Sequence, residues 1–386
     1  MIRVWLLLFF CILIAHYYEK NMIIEDGKIE NRVETNISAT CFIVLITVLV
    51  LFSGLRTVMN DTLNYTRVFL NDAMVPKGWS SVFNVDWLIG SNPLFNIYLR
   101  CIKTIFGSNS QVFLFLTSLL IEYSYLKFLR KYTLNFEWSI FTFIAFTIFA
   151  FSMSAMKQAI SIAIGIWAIP GFLENKYLKA VIILLIASLF HPYVIILGAL
   201  PLFSRDVWKS KTLIIIFATI LVLFTFDYFV NIVMRISDAF GEVNEIEAFT
   251  EQGVGIARIL SYLYLPAVTF IARNEINEMH NPFVNVCVNA TVLSGCIMLI
   301  SGFGGSYMFG RVPSYLDLFT CITVAVVFCA CQYRGREFYK LVFVCLLLVF
   351  YYVYYEKYLI GYCNGDWFAD IYKHVSVFEL FGGRVW

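Results

Sequence analysis

The sequence predicts an all-α polytopic integral membrane protein, and three observations carry that reading. Of 386 residues, 60% are hydrophobic and 14% are charged, against about 45–50% and about 25% in soluble domains. The mean hydropathy is +0.78, and no water-soluble block interrupts it. Apolar runs long enough to cross a bilayer, roughly 17–25 residues, recur along the whole length. They fall near 2–18, 37–53, 111–127, 138–155, 158–173, 179–203, 212–230, 256–272, 283–301, 312–332 and 340–360. Segment 93–107 is interrupted by Arg100 and Lys103, and reads either as a short span or as a helix lying in the interface. The expectation is a single domain over residues 1–386 with about 10–12 transmembrane helices, one segment of it re-entrant or interfacial.

Taken in order, Val4–Ala15 leads into His16-Tyr17-Tyr18-Glu19-Lys20. Aromatic residues followed by charge, with no small-residue cleavage site, read as a retained anchor and not as a secretory signal. Lys and Arg then orient the chain. Loops 19–35, 204–211 and 333–340 (with Arg334 and Arg336) are basic and belong in the cytoplasm. Loop 231–255, with Asp238, Glu242, Glu245, Glu247 and Glu251, is acidic and belongs outside. The Gly-rich loop 302–311 alternates to the outside, as does the tail from Gly361. Loops 127–131 and 174–179 are also basic, and simple alternation cannot keep every basic loop inside. One segment must turn back without crossing, and the candidates are 93–107 and 179–203, the latter broken at His191-Pro192. Broken backbone at membrane depth is tolerated where it lines a polar cavity. The outer connection 54–92 is long, and Trp79, Phe83, Trp87, Leu88 and Ile89 could lie along the interface within it.

Composition also excludes functions. A net charge of +2 without a basic stripe argues against a nucleic-acid partner. The ten cysteines form no C-x-x-C pair, so zinc-ribbon and thioredoxin motifs are lacking. Walker A, H-E-x-x-H and G-x-S-x-G motifs are missing too, which leaves redox, ATP-driven and zinc-hydrolase readings without support. No metal or cofactor is expected.

Polar side chains at span ends are the candidates for chemistry. Arg56, in Gly54-Leu55-Arg56, is followed by Asn60-Asp61-Thr62 and Tyr65. Arg56 offers a planar fork to phosphate oxygens, or it snorkels at a span end while Asp61 sits in a solvated turn. Lys157 and Gln158 separate two apolar segments; Lys157 could neutralise a phosphate or mark the helix turn. Of the four histidines, only His191 is internal to an apolar context. Neutral His is the usual general base near pH 7, though a lone His is often satisfied by a neighbour. Arg311 lies in Phe309-Gly310-Arg311-Val312-Pro313-Ser314-Tyr315, beside glycines 302, 304, 305 and 310 that allow close backbone approach. Arg258 is a third arginine for the same side. Arginines 56 and 311 without obvious acidic partners point to an anionic ligand, against snorkelling at helix ends.

The order of these elements resembles the EpsG-like branch of the bacterial Wzy-type O-antigen polymerases, over about residues 1–330. Gly54-Leu55-Arg56 and Asp61-Thr62-Leu63-Asn64-Tyr65 match a G-x-R and D-T-x-x-Y pair. Lys157-Gln158-Ala159-Ile160 and Ala187-Ser188-Leu189-Phe190-His191 are similar to an R-Q-x-[IA]-A element followed by A-x-x-F-H. Arg311 through Tyr315 corresponds to R-x-x-x-Y. Two positions depart from that pattern. Lys157 stands where Arg is usual, keeping the charge without the fork. Asn92-Pro93 stands where Glu-Pro is common, so a base drawn from that position would have to be Asp61 or His191 instead.

The resemblance implies a metal-independent glycosyltransferase of the bacterial inner membrane, acting on its outer face. It would move a glycan from polyprenyl diphosphate onto a lipid-linked repeat unit. The partners implied are those lipid-linked oligosaccharides, membrane lipid and a chain-length regulator protein. Arg56, Arg311 and Lys157 would hold diphosphate, with Gln158, Arg258, Tyr65 and Tyr315 on phosphate or sugar. His191 or Asp61 would deprotonate the acceptor. The alternatives are a lipid-linked oligosaccharide flippase, which should show two related halves, and an O-antigen ligase. A membrane acyltransferase would want an early His with an Arg partner, and His16 lacks that context.

Overall fold

The computed structural model describes residues 2–24, 32–59, 61–84, 92–239, 253–304, 309–333, 339–341, 343–348 and 375–376. Several expectations lie outside those residues. They are Trp87, Leu88 and Ile89, the acidic residues Glu242, Glu245, Glu247 and Glu251, Gly305, Arg334 and Arg336, most of span 340–360, and the tail from Gly361.

The described chain is helical apart from two small antiparallel pairs. Helices α1 (Ile2–Lys20), α2 (Asn36–Gly54), α3 (Thr62–Leu70), α4 (Trp79–Phe83), α5 (Pro93–Phe106) and α6 (Ser110–Tyr132) open the chain. The middle holds α7 (Phe136–Ala145), α8 (Ile148–Ser154), α9 (Met156–Gly165), α10 (Ala168–Leu173) and α11 (Tyr177–Ser188), then a 3-10 helix Pro192–Phe203. After it come α12 (Ser210–Phe224), α13 (Phe226–Ala239), α14 (Ile256–Ile271), α15 (Arg273–Glu278), α16 (Pro282–Ser301), a 3-10 turn Val312–Tyr315 and α17 (Asp317–Tyr333). Strands β1 (Ile23–Ile24) and β2 (Arg32–Val33) pair with each other, and β3 (Arg56–Val58) pairs with β4 (Val375–Ser376).

Local chemistry sets the boundaries. Thr35 closes a capping box with Ser38 at the start of α2, and Asn109, Asn135 and Asn281 accept backbone N–H bonds at the starts of α6, α7 and α16. Those side chains satisfy donors that a helix leaves unpaired. The interior is formed by α16 and α9–α10, whose apolar windows are 78% and 72% buried, whereas that of α2 is 39% buried and faces outward. Gly295 lets α16 lie on α14, because a Cβ there would meet the Tyr262 carbonyl oxygen at 2.9 Å.

Among the described residues, four helices are long and apolar enough to cross a membrane, or six if two bent pairs each count as one span. The bent pairs are α7–α8 (51°) and α12 with 226–235 (97°). Five shorter apolar helices, Tyr177–Ser188, Pro192–Phe203, Ile256–Ile271, Asp317–Cys331 and Tyr339–Leu348, account for most of the other expected spans. Together they make the all-α, multi-span architecture that the sequence predicts, with bent pairs in place of two of the straight spans. The apolar runs are where the sequence places them, but breaks at 146–147, 189–191 and 225 cut several into pieces shorter than a bilayer. Span 312–332 likewise begins with a 3-10 turn, and its α-helix starts at Asp317.

Cross-links sort the connections into two ends. At one, Arg130 pairs with Glu34, Phe136 N donates to Glu19 (2.8 Å), and Val207 N donates to Asn277 (2.8 Å). At the other, Gln111 donates to Gly54 O (2.5 Å), Arg56 to Met153 O (2.9 Å), Leu94 N to Leu189 O (3.0 Å), and Val254 N to Ser301 O (2.9 Å). The first end collects Lys20, Arg130, Lys131, Arg205, Lys209 and Arg273, so the basic loops fall together. The counting conflict of the middle segment is thereby removed. Helix α5 starts and stops at the second end, and segment 177–203 leaves the basic end, turns at 189–191 and returns to it.

Candidate functional site

The turn at 189–191 is where the polar side chains gather. Helix α11 ends because Pro192 disfavours helical backbone at His191, which is extended (φ −160°, ψ 119°). Carbonyls at that helix end need donors. Ser161, one turn into α9, donates its hydroxyl to Ala187 O (3.0 Å) and His191 O (3.2 Å). With 12 residues, α11 rises about 18 Å against the roughly 30 Å of a hydrocarbon core. His191 is therefore recessed below the surface of the site end.

The imidazole Nδ1 of His191 lies 2.6 Å from the phenol oxygen of Tyr315, which is 1% exposed. Tyr315 is held by the 3-10 turn 312–315, and Gln158 locks that turn to α9. The buried Gln158 amide donates to Ser314 Oγ (2.5 Å) and Arg311 O (3.2 Å). Ser314 Oγ in turn donates to Arg311 O (2.6 Å). Lys157 and Arg311 are the cations whose charges act on the imidazole. The Lys157 ammonium also stands 5.7 Å from the Phe95 ring centroid, a cation–π distance. Phe95 meets Tyr65 edge to face at 5.7 Å. His191, Tyr315, Lys157, Gln158 and Arg311 thus converge, with Tyr65 beside them through Phe95.

Arg258 stands one residue behind. Its guanidinium donates to Gly310 O (2.8 Å), so it fixes the backbone that carries Arg311. Asp317, which lies in the field of Arg258, accepts a hydrogen bond from Tyr262 (3.1 Å).

Arg56 has different surroundings from those expected of a diphosphate ligand. It is 1% exposed, and its N–H groups go to Thr62 Oγ1 (3.1 Å), Ser118 Oγ (3.0 Å), Met153 O (2.9 Å) and Ser53 O. Glu122, one turn along α6 from Ser118, is buried beside it and accepts from Ser152 (2.6 Å). This clasp joins the end of α2, the start of α3, α6 and the end of α8, four residues before Lys157. Asp61 precedes α3 on the clasp side and makes no side-chain cap to it.

Sequence reasoning passed over Glu122, Ser314 and Phe95. Glu122 carried a legible signal, an acid in the middle of the apolar run 111–127. Ser314 and Phe95 carried none, since neither type is unusual in a membrane helix or turn.

These features define a multi-pass helical membrane protein with a cationic side-chain cluster at a helix break. The chain belongs to the EpsG family, whose family model matches residues 39–369. That is a family of membrane proteins related to polysaccharide polymerases. No curated protein and no solved structure matches the chain.

Proposed function

We propose that the protein is a polysaccharide polymerase of the bacterial inner membrane, working on its outer face. It transfers a glycan from polyprenyl diphosphate to the terminal sugar of a lipid-linked repeat unit. The observation that carries the reading is the His191–Tyr315 pair flanked by Lys157 and Arg311 at a recessed helix break.

In the reaction, the acceptor hydroxyl oxygen bonds to the anomeric carbon of the donor glycan while the bond from that carbon to the diphosphate breaks. The hydroxyl proton goes to His191, and polyprenyl diphosphate leaves with the electron pair. In the tautomer that carries its proton on Nδ1 and donates it to Tyr315, the lone pair of His191 resides on Nε2, the nitrogen that then acts as base. Lys157 and Arg311 face the charge that develops on the leaving diphosphate, and fixed cations in a low-dielectric site stabilise it without reorganising.

Surface-glycan gels after deletion and complementation test the proposal. A polymerase deletion leaves single repeat units on the lipid A core, whereas loss of a ligase leaves none. Arg311→Ala and His191→Ala should reproduce the single-unit pattern with protein still in the membrane, each slowing polymerisation about a hundredfold or more. Normal long chains in both variants would refute it.

A further inference from the structure

Resting on that reading, we propose that the side-chain amide of Asn92 binds a hydroxyl of the sugar seated at the His191 site, and so helps select the lipid-linked repeat unit. Asn92 is 7% exposed, and its amide oxygen is buried without a hydrogen-bond partner among the described residues. An unpaired buried amide oxygen is unfavourable, and native proteins rarely keep one without a reason. The residue also stands in the left-handed region (φ 62°, ψ 56°) immediately before Pro93, at the start of the 14-residue helix α5. Asn tolerates that conformation better than most side chains, and Pro93 needs no N–H partner at the first helical position.

The location ties this amide to the site by three separate contacts. Leu94 N donates to Leu189 O (3.0 Å), two residues before His191. Phe95, three residues after Asn92, lies under the Lys157 ammonium. Tyr98, one turn further, packs edge to face on Phe190 (6.4 Å). The start of α5 is therefore sewn to both the helix break and the cation. The unpaired atom is the oxygen, an acceptor, and a sugar hydroxyl can donate to it. A diphosphate oxygen only accepts and would leave the amide oxygen unpaired, which points to a hydroxyl.

The test separates the amide from the backbone it sits on. Asn92→Gly keeps the left-handed conformation and deletes the amide; Asn92→Asp keeps an acceptor oxygen at the same place. Each is assayed in membranes with lipid-linked repeat units extracted from the polymerase-deletion strain. Asn92→Gly should raise KM for those units about five- to tenfold, the worth of one neutral hydrogen bond, with its melting temperature unchanged. Asn92→Asp should recover part of the loss. Wild-type KM in Asn92→Gly overturns the proposal, as does a loss confined to kcat or explained by unfolding. If wild-type membranes make no polymer from these units, the polymerase reading itself fails, a distinct outcome.

Discussion

Arg56 and Lys157 are both cations that sequence assigns to one anionic ligand, yet their surroundings give them different work. The Arg56 guanidinium is spent on four protein acceptors, one from each of α2, α3, α6 and α8. Removing a buried, hydrogen-bonded charge strands its partners and costs about 3–5 kcal/mol. Arg56→Ala should therefore melt well below the wild type in detergent. Arg56→Lys should not rescue it, because a point-like ammonium cannot replace a planar fork that reaches Thr62, Ser118 and Met153 together. Lys157 is part-exposed and rests on Phe95, so Lys157→Met should keep its stability to within about 0.5 kcal/mol and lose long-chain glycan. Thermal melting of purified protein alongside surface-glycan gels reads both. An Arg56→Ala protein of normal melting temperature but without polymer would return Arg56 to the ligand.

At the scale of elements, the returning segment 177–203 depends on close contact between α9 and the 3-10 helix. Gly165 makes that contact possible, since a Cβ there would lie 2.7 Å from Val194 Cγ2 and 3.2 Å from Leu197 Cδ1. Gly165→Val should push the 3-10 helix outward, at an overpacking cost of about 1–3 kcal/mol, and shift His191 from Tyr315. Polymer length should fall while the protein remains in the membrane; full-length chains would show that the hairpin tolerates the displacement.

The outer elements have their own tie. Lys103, wholly buried, donates to Phe69 O (2.8 Å) and Leu70 O (3.3 Å) at the end of α3, and pairs with the exposed Asp72 (2.8 Å). The hydrogen bond from Lys103, and then its charge, hold the Asp72 carboxyl below the usual carboxylate range. Because the folded value is the lower one, this tether is present at neutral pH. It is lost as pH falls through the folded value. Wild type and Asp72→Asn should differ in melting temperature at pH 7 and converge in acid. A difference that persists below pH 3 would assign the effect to something other than the charge.

These elements also show what a sequence can reveal of such a protein. The break at His191-Pro192 and the interruption of 93–107 by Arg100 and Lys103 were legible because proline and charge act locally. The partners of Arg56 were not, since Ser118 and Met153 lie 62 and 97 residues away. The bends at 146–147 and 225 had no proline to announce them. Thr147 adopts its left-handed conformation (φ 61°) under tertiary packing, which residue type alone does not encode.

For the whole molecule, the question is which end faces the outside, and the sorting of charge answers it with a prediction. Loops at the end opposite the site hold Lys20, Arg130, Lys131, Lys176, Arg205, Lys209 and Arg273, and such an excess of Lys and Arg marks the cytoplasmic side. The end with Lys157, His191 and Arg311 then opens outward, where lipid-linked repeat units would be polymerised. Ser108 and Lys176 are exposed positions at the two ends. In a cysteine-free background, Ser108→Cys should react with a membrane-impermeant maleimide in intact spheroplasts. Lys176→Cys should react only after the membrane is opened. The reverse pattern would turn the recessed cations toward the cytoplasm. The polymerisation proposed for the outer face would then be ruled out.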